Sequence, residues 1–393
     1  MDLYERFYGI EQSYFEEKGC GHTAREIAHQ PDMWRDLCEI LRKNKAIIND
    51  FMSVIGLLKD IRIIMTGAGS SGFVGRTVSG FVAQSNGIHS EAIHTTDIVS
   101  APEICLLPDM PTLLISFARS GNSPESQGAV QYARKVIKNL YEVAIVCDGD
   151  SKLSKITRES DKSLVLVMPK GTNDKGFAMT SSVSSMIIAG FALFNGDKID
   201  EITADIVMLA DQVEKCSQAT SKAAATCAEW GLSRAWYLGS GPLTALVSEG
   251  ALKMMELTNG AVVAGHNSAT EFRHGPKTVM NPSTATIHFI SGNPFTGRYD
   301  MDLLSELYRE REGNKVIALY DKAVGPVEAD LTVPYSVEGY RIGANVAAGI
   351  QGLVFMQMLS MHMSLALGIT TDNPSPSGLV NRVVQGVTIY PYE

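Results

Sequence analysis

From residue 61 onward the apolar positions gather into short runs, 61–66, 113–117, 143–147 and 164–168, each closed by a Gly, Ser or Pro turn and followed by a stretch of helical spacing. Short continuous apolar runs read as strands covered on both faces, and their alternation with helices predicts a parallel sheet in an α/β fold. The first 55 residues obey a different rule. Met33, Leu37, Ile40 and Leu41 recur at helical spacing, and Thr23 with Glu26 makes a capping-box pattern ahead of Ile27, so this segment is predicted to be helical. Residues 345–369 are apolar for long enough to span a bilayer. Asn345, Gln351, Gln357, Ser360, His362 and Ser364 interrupt them, which favours a buried core helix over a membrane span.

The second half of the chain repeats the first. Gly67-Ala68-Gly69 recurs as Gly239-Ser240-Gly241, and Ser120-Gly121-Asn122 as Ser291-Gly292-Asn293. The run 143–148 returns as 316–321, and Val167-Met168-Pro169 is echoed by Thr332-Val333-Pro334. Four landmarks in the same order, offset by about 165 to 173 residues, predict duplication of one doubly wound unit. The expected division is a helical segment 1–55, a first α/β domain 56–215 and a second 216–393, joined through helical residues 200–228. Chance matching of short glycine motifs is the alternative.

Composition narrows the partners. Hydrophobic residues make up 45% and charged residues 20% of the 393, which excludes a disordered or low-complexity chain. With 43 Asp+Glu against 34 Lys+Arg, a net charge of -9 and no basic run, nucleic acid is not an expected partner. The cysteines at 20, 38, 105, 147, 216 and 227 form no CxxC pair, so neither a zinc knuckle nor a disulfide framework is expected, and a reducing, cytoplasmic setting is. The opening residues carry Asp and Glu among aromatics and lack the basic-then-apolar order of a signal peptide.

Gly67-Ala68-Gly69-Ser70-Ser71-Gly72 follows a strand and opens a helix, so it satisfies the dinucleotide fingerprint, with Glu91 near the place of a ribose-binding acid. The same construction suits any phosphate, because a helix start presents unpaired N–H groups and a positive dipole end. The hydroxyls of Ser70 and Ser71 tip the reading toward a compact phosphate monoester. A second loop, Ala118-Arg119-Ser120-Gly121-Asn122-Ser123, again crowds hydroxyls at a helix start. Two such loops can converge on one anion, whereas a dinucleotide needs one pyrophosphate turn. Ordinary N-capping by Ser123 and Ser126 is the competing explanation of the second loop.

In the second half, Glu249, Lys253 and Glu256 fall at i, i+4 and i+7, on one face of a helix whose neighbours Ala251, Leu252, Met254 and Leu257 are apolar. Either they are a surface ion-pair ladder or they are chemistry. His274 sits in a turn-prone loop directly before Gly275-Pro276, where it either acts on a substrate or is an idle exposed side chain. His266 and His274 have no third ligand at recognisable spacing, so no metal site is expected.

These residues resemble the sugar isomerase (SIS) domain family. Ser120-Gly121-Asn122-Ser123 looks like its Ser-Gly-x-Ser/Thr phosphate loop, and residues 249–256 with Arg273-His274-Gly275-Pro276 are similar to the isomerase half of glucosamine-6-phosphate synthase. With residues 177–182 and 381–386 included, the resemblance covers almost the whole chain and is to the AgaS-type galactosamine-6-phosphate deaminase/isomerase group. It implies two tandem SIS-type doubly wound parallel-sheet domains and a sugar-phosphate substrate. It also implies that Glu256 moves the proton between C2 and C1, His274 assists ring opening and Lys253 orients the sugar. Ser71, Ser120 and Ser123 fall on phosphate positions, and Thr180 and Ser181 near the sugar. The chain departs from the synthase at Gln385, where the synthase has a lysine, and at Ala118, where the family loop begins with serine; Arg382 is the candidate substitute at the carbonyl end.

The expected reaction is isomerising deamination of galactosamine-6-phosphate to tagatose-6-phosphate, without metal or organic cofactor. The resemblance implies a homo-oligomer, a dimer or a dimer of dimers, in which His274 serves a neighbouring subunit's site. Competing expectations are plain aldose/ketose phosphate isomerisation, a non-catalytic sugar-phosphate sensor, and an NAD-dependent oxidoreductase resting on the glycine fingerprint.

Overall fold

The computed structural model describes residues 2–384 and 386–393. Among these residues, ten strands form two five-stranded sheets, every pairing parallel. The first sheet holds β1 (Arg62–Thr66), β2 (Glu91–Ala92), β3 (Thr112–Ala118), β4 (Leu140–Val146) and β5 (Ser163–Val167) in the order β2-β1-β3-β4-β5. The second holds β6 (Arg234–Gly239), β7 (Val263–Asn267), β8 (Thr284–Phe289), β9 (Lys315–Asp321) and β10 (Leu331–Tyr335) in the order β7-β6-β8-β9-β10. Strand for strand the orders are the same, as duplication requires.

Both central strands, β3 and β8, are buried along their whole length. Full burial of a Leu, Ile or Phe side chain contributes roughly 1.5–3 kcal/mol, and β3 carries a mostly apolar run, whereas β8 alternates Thr284, Thr286 and His288 with apolar residues although both its faces are buried. The only polar side chains in β3 are Thr112 and Ser116, and in β8 Thr284, Thr286 and His288, of which His288 is held by Thr286 Oγ1 at 3.2 Å.

The chain forms two compact units that do not follow its linear order. One comprises residues 32–174, 181–204 and 378–393 and contains the first sheet; the other comprises residues 1–31, 175–180 and 205–377 and contains the second. In the first-sheet unit, Trp34 of the Gln30–Gly56 helix donates to Ser184 Oγ at 2.9 Å, and Ile389 of the C-terminal segment packs on the core built around Leu114 and Ala133. In the second-sheet unit, Gln30 donates to Gln357 Oε1 at 2.8 Å, and the carboxylate of Asp372 accepts from the Thr23 amide and hydroxyl at 2.8 and 2.9 Å.

That last contact corrects the expected capping box. Thr23 and Glu26 lie inside the Gly21–Ala28 helix, and Glu26 accepts from the amides of Lys175 and Gly176 at 2.5 and 3.0 Å. A capping box does occur at Ser268 and Glu271. The apolar stretch near the C-terminus is the helix Ala344–Ala366, and 94% of its most apolar window is buried inside the protein. It packs on the Leu243–Leu257 helix, where a side chain at Gly250 would come within 2.5 Å of Met356 Sδ. Its Ser364 hydroxyl donates to Leu257 O at 2.7 Å, satisfying a carbonyl at that helix's end.

Candidate active site

In the first-sheet unit the serine loops lie at the switch point. β1 and β3 are neighbours, while the chain continues to β2 on one side and β4 on the other, so a crevice opens at the carboxyl ends of β1 and β3. Ser70 and Ser71 begin the Ser70–Asn86 helix behind Gly69, whose N-cap position brings no side-chain acceptor. Ser120 lies in the loop after β3, and its Oγ accepts weakly from the Asn122 amide at 3.4 Å.

Gly121 fixes that loop. It takes φ 60°, and a Cβ there would come within 2.5 Å of the Ser151 hydroxyl, so only glycine fits without strain. Ser151 caps the Lys152–Arg158 helix, and the backbone at 121 and the side chain of Asn122 accept from Leu153 N and Lys152 N at 3.0 and 3.1 Å. Two helix starts, after β3 and β4, are therefore tied together, an arrangement that favours a bound anion.

Other predicted residues have internal duties. Ser123 accepts from the Ser126 amide at 3.3 Å and shares a hydrogen bond with its hydroxyl at 2.6 Å, so it caps the Pro124–Val136 helix. Arg119 is buried, and its Nη2 donates to Arg382 O at 2.8 Å. Arg382 in turn donates through Nε to Asp174 O at 2.9 Å and through Nη2 to Asn173 Oδ1 at 3.4 Å. The Asp174 carboxylate accepts from the hydroxyls of Ser181 and Ser182 at 2.5 and 2.6 Å, fastening the start of the Ser181–Leu193 helix. Glu91 is gripped by Arg62 at 2.5 and 2.7 Å, and those hydrogen bonds hold its carboxyl below the usual range. That bidentate pair weakens the dinucleotide reading, because the ribose acid is already engaged.

In the second-sheet unit the Leu243–Leu257 helix carries the charged face. Lys253 and Glu249 have side chains 0% and 1% exposed, so the ladder is buried, which excludes the surface ion-pair explanation. Lys253 Nζ stands 3.4 Å from Glu249 Oε1 and donates to Glu256 Oε2. Of the two carboxylates, Glu256 alone reaches solvent, with a side chain 26% exposed. Taking these ions out of water costs several kcal/mol each, so the buried cluster is weak evidence of a stabilising role. Beside it, the Ser248 hydroxyl shares a hydrogen bond with His266 Nδ1 at 3.1 Å. His274 is exposed in the loop after the Ala269–Phe272 helix, its amide donating to Glu271 O at 2.9 Å.

The model of the SIS domain family matches residues 56–196. The D-galactosamine-6-phosphate deaminase AgaS of Escherichia coli O157:H7 is 38% identical over 380 residues, covering 94% of this chain and 96% of that one. The protein of the same name from Shewanella sp. (strain ANA-3) is 35% identical over 391 residues, covering 95% and 93%. Among solved structures, the tagatose-6-phosphate ketose/aldose isomerase of Escherichia coli superposes with a TM-score of 0.85 at 33% identity, over 95% of this chain and 97% of that one. A Clostridium novyi NT chain gives 0.93 at 36% identity over 100% of both.

This chain belongs to the AgaS family of SIS-domain enzymes. For an AgaS-family chain, the expected residues sort by what each side chain does. Ser70, Ser71, Ser120 and Gly121 gather at the first switch point, and Lys253 with Glu256 share one helix face. Ser123, Arg119, Ser181 and Arg382 are held by internal hydrogen bonds. Thr180 is fully buried, its carbonyl accepting from Gln357 at 3.3 Å, and Gln385 lies outside the described residues. Two participants had no expected role. Glu249 was legible at i, i+4 from Lys253, but its burial was not; Ser151 carries no motif at all, and only its packing on Gly121 marks it.

Proposed function

We propose that this enzyme carries out the isomerising deamination of an amino-sugar phosphate, converting galactosamine-6-phosphate to tagatose-6-phosphate and ammonia. The AgaS relatives named as galactosamine-6-phosphate deaminases support the substrate class. The observation that carries the chemistry is Glu256, a carboxylate that reaches solvent while a buried ammonium donates to it.

The sugar first opens from its ring, which needs a proton moved between the anomeric hydroxyl and the ring oxygen. His274 brings an imidazole, a side chain able both to accept and to donate a proton. The open aldehyde acidifies the C2 proton, Glu256 removes it, and an enolamine forms. Lys253 keeps a positive charge beside the carboxylate as electron density moves toward the carbonyl oxygen. Return of the same proton to C1, while O1 takes up the proton the amino nitrogen gives up, leaves an imine at C2. Water adds there, ammonia departs, and the ketose phosphate remains. Bound at a distance from the reacting carbons, the phosphate supplies remote binding energy that orients C1 and C2.

Glu256→Gln tests the assignment. The variant is expected to bind the sugar phosphate with nearly unchanged affinity and to lose turnover by at least about a thousandfold in an ammonium-release assay. Substantial remaining ammonium release would refute Glu256 as the base. The Escherichia coli structure named as an aldose/ketose isomerase favours a second reading, the same proton transfer without ammonia loss. Incubation with galactosamine-6-phosphate, glucosamine-6-phosphate and tagatose-6-phosphate, with ammonium and sugar products measured, separates the two.

A further inference from the structure

The two sheets share one strand order, and at both switch points the glycine after the strand is left-handed, Gly69 at φ 54° and Gly241 at φ 59°. The donors around these glycines differ. Where the first copy has Ser70 and Ser71, the second has Pro242 and Leu243, which offer no hydroxyl. The donors that remain converge on one carboxylate. Ser240 Oγ donates to Asp300 Oδ1 at 2.5 Å, and the Ser291 amide donates to Asp300 Oδ2 at 2.9 Å. Asp300 lies in the Thr296–Arg309 helix and is 2% exposed. The offset that aligns Ser120 with Ser291 places Ala129 at the equivalent position in the first copy, a fully buried apolar residue of that core.

We propose that Asp300 is a built-in anion occupying the loop cradle of the second copy, so that each chain binds one phosphate group, through the first copy alone. A carboxylate and a phosphate present the same kind of charge-assisted acceptor to hydroxyl and amide donors, so one can stand where the other would. A phosphate brought to the second cradle meets a buried negative charge and loses the donors Asp300 already holds. The plug also ties the loop after β6 to the loop after β8, anchoring the start of the helix that bears Lys253 and Glu256. The second clause rests on reading the first copy's serine loops as the phosphate holder.

The test is equilibrium dialysis of the full chain against radiolabelled inorganic phosphate. One phosphate per wild-type chain is expected, with Ser240→Ala leaving the affinity within about twofold because the Ser240 hydroxyl donates to the internal carboxylate and accepts from the Ala269 amide at 3.4 Å. Asp300→Ala, verified as folded by circular dichroism, is expected to bind a second phosphate, and the Asp300→Ala/Ser240→Ala double variant to lose it. Two phosphates in the wild type, a drop of about tenfold in Ser240→Ala, or a folded Asp300→Ala that still binds one would each overturn the proposal. If Asp300→Ala does not fold, the wild-type stoichiometry and Ser240→Ala still decide. Unchanged affinity in Ser120→Ala would sink the first-copy loop assignment separately, leaving the Asp300 result to stand or fall on its own.

Discussion

Ser120 and Ser123 share one loop and one residue type, yet their hydroxyls have different work. Ser123 is hydrogen-bonded to both the amide and the hydroxyl of Ser126, whereas among the described residues Ser120 has a long contact with the Asn122 amide. Ser123→Ala is therefore expected to lose about 1 kcal/mol of stability by urea unfolding, the usual cost of removing a helix cap, with little change in KM. Ser120→Ala is expected to unfold at nearly the wild-type urea concentration and to raise KM about tenfold for the loss of a hydrogen bond to a charged group. The reverse pattern would exchange the two roles. In sequence these serines are indistinguishable, because a helix cap and a phosphate donor call for the same short hydroxyl at a helix start. The same limit hides Arg119 and Arg382, whose guanidinium groups read as anion ligands until their carbonyl partners are seen.

At the scale of elements, β1, β3 and β4 were legible because they are mostly buried apolar runs, and the 61–66 run is β1 almost residue for residue. β2 escaped because it is a two-residue, exposed edge strand with no pattern to find. Thr23 and Glu26 were misread because their partners, Asp372 and the Lys175–Gly176 amides, lie far along the chain, beyond any local rule. Two buried histidines on such elements make stability depend on pH. Burial pushes His288 of β8 down to about 3, and His362 of the Ala344–Ala366 helix, paired with Ser221 Oγ, down to about 4. Unfolded, each takes up a proton near pH 6.5; folded, each refuses it until far lower pH. Below about pH 6.5 the unfolded state thus binds more protons, and stability falls as pH falls, by up to about 1.4 kcal/mol per pH unit for each histidine. His362→Gln is expected to narrow the difference between urea midpoints measured at pH 7 and pH 5. An unchanged difference would remove His362 from the account.

On the scale of the whole molecule, duplication was readable because glycine and serine turns recur at a steady offset, and the matching strand orders bear it out. The exposed His274 supports the proposal that it serves a neighbouring copy's site. Glu256→Gln and His274→Ala oligomers, each inactive, are then expected to regain about a quarter of wild-type activity when dissociated together and reassembled, because half of the sites in mixed dimers are intact. A mixture that stays inactive would place the histidine in its own chain's site.

Residues 1–31 belong to the compact body of the second sheet, and residues 378–393 to that of the first. The polypeptide's beginning thus completes the later repeat, and its end completes the earlier one. Severing the chain at the seam between repeats would not yield two autonomous modules: each fragment would be missing a piece encoded on the other, residues 1–31 for the second sheet and 378–393 for the first.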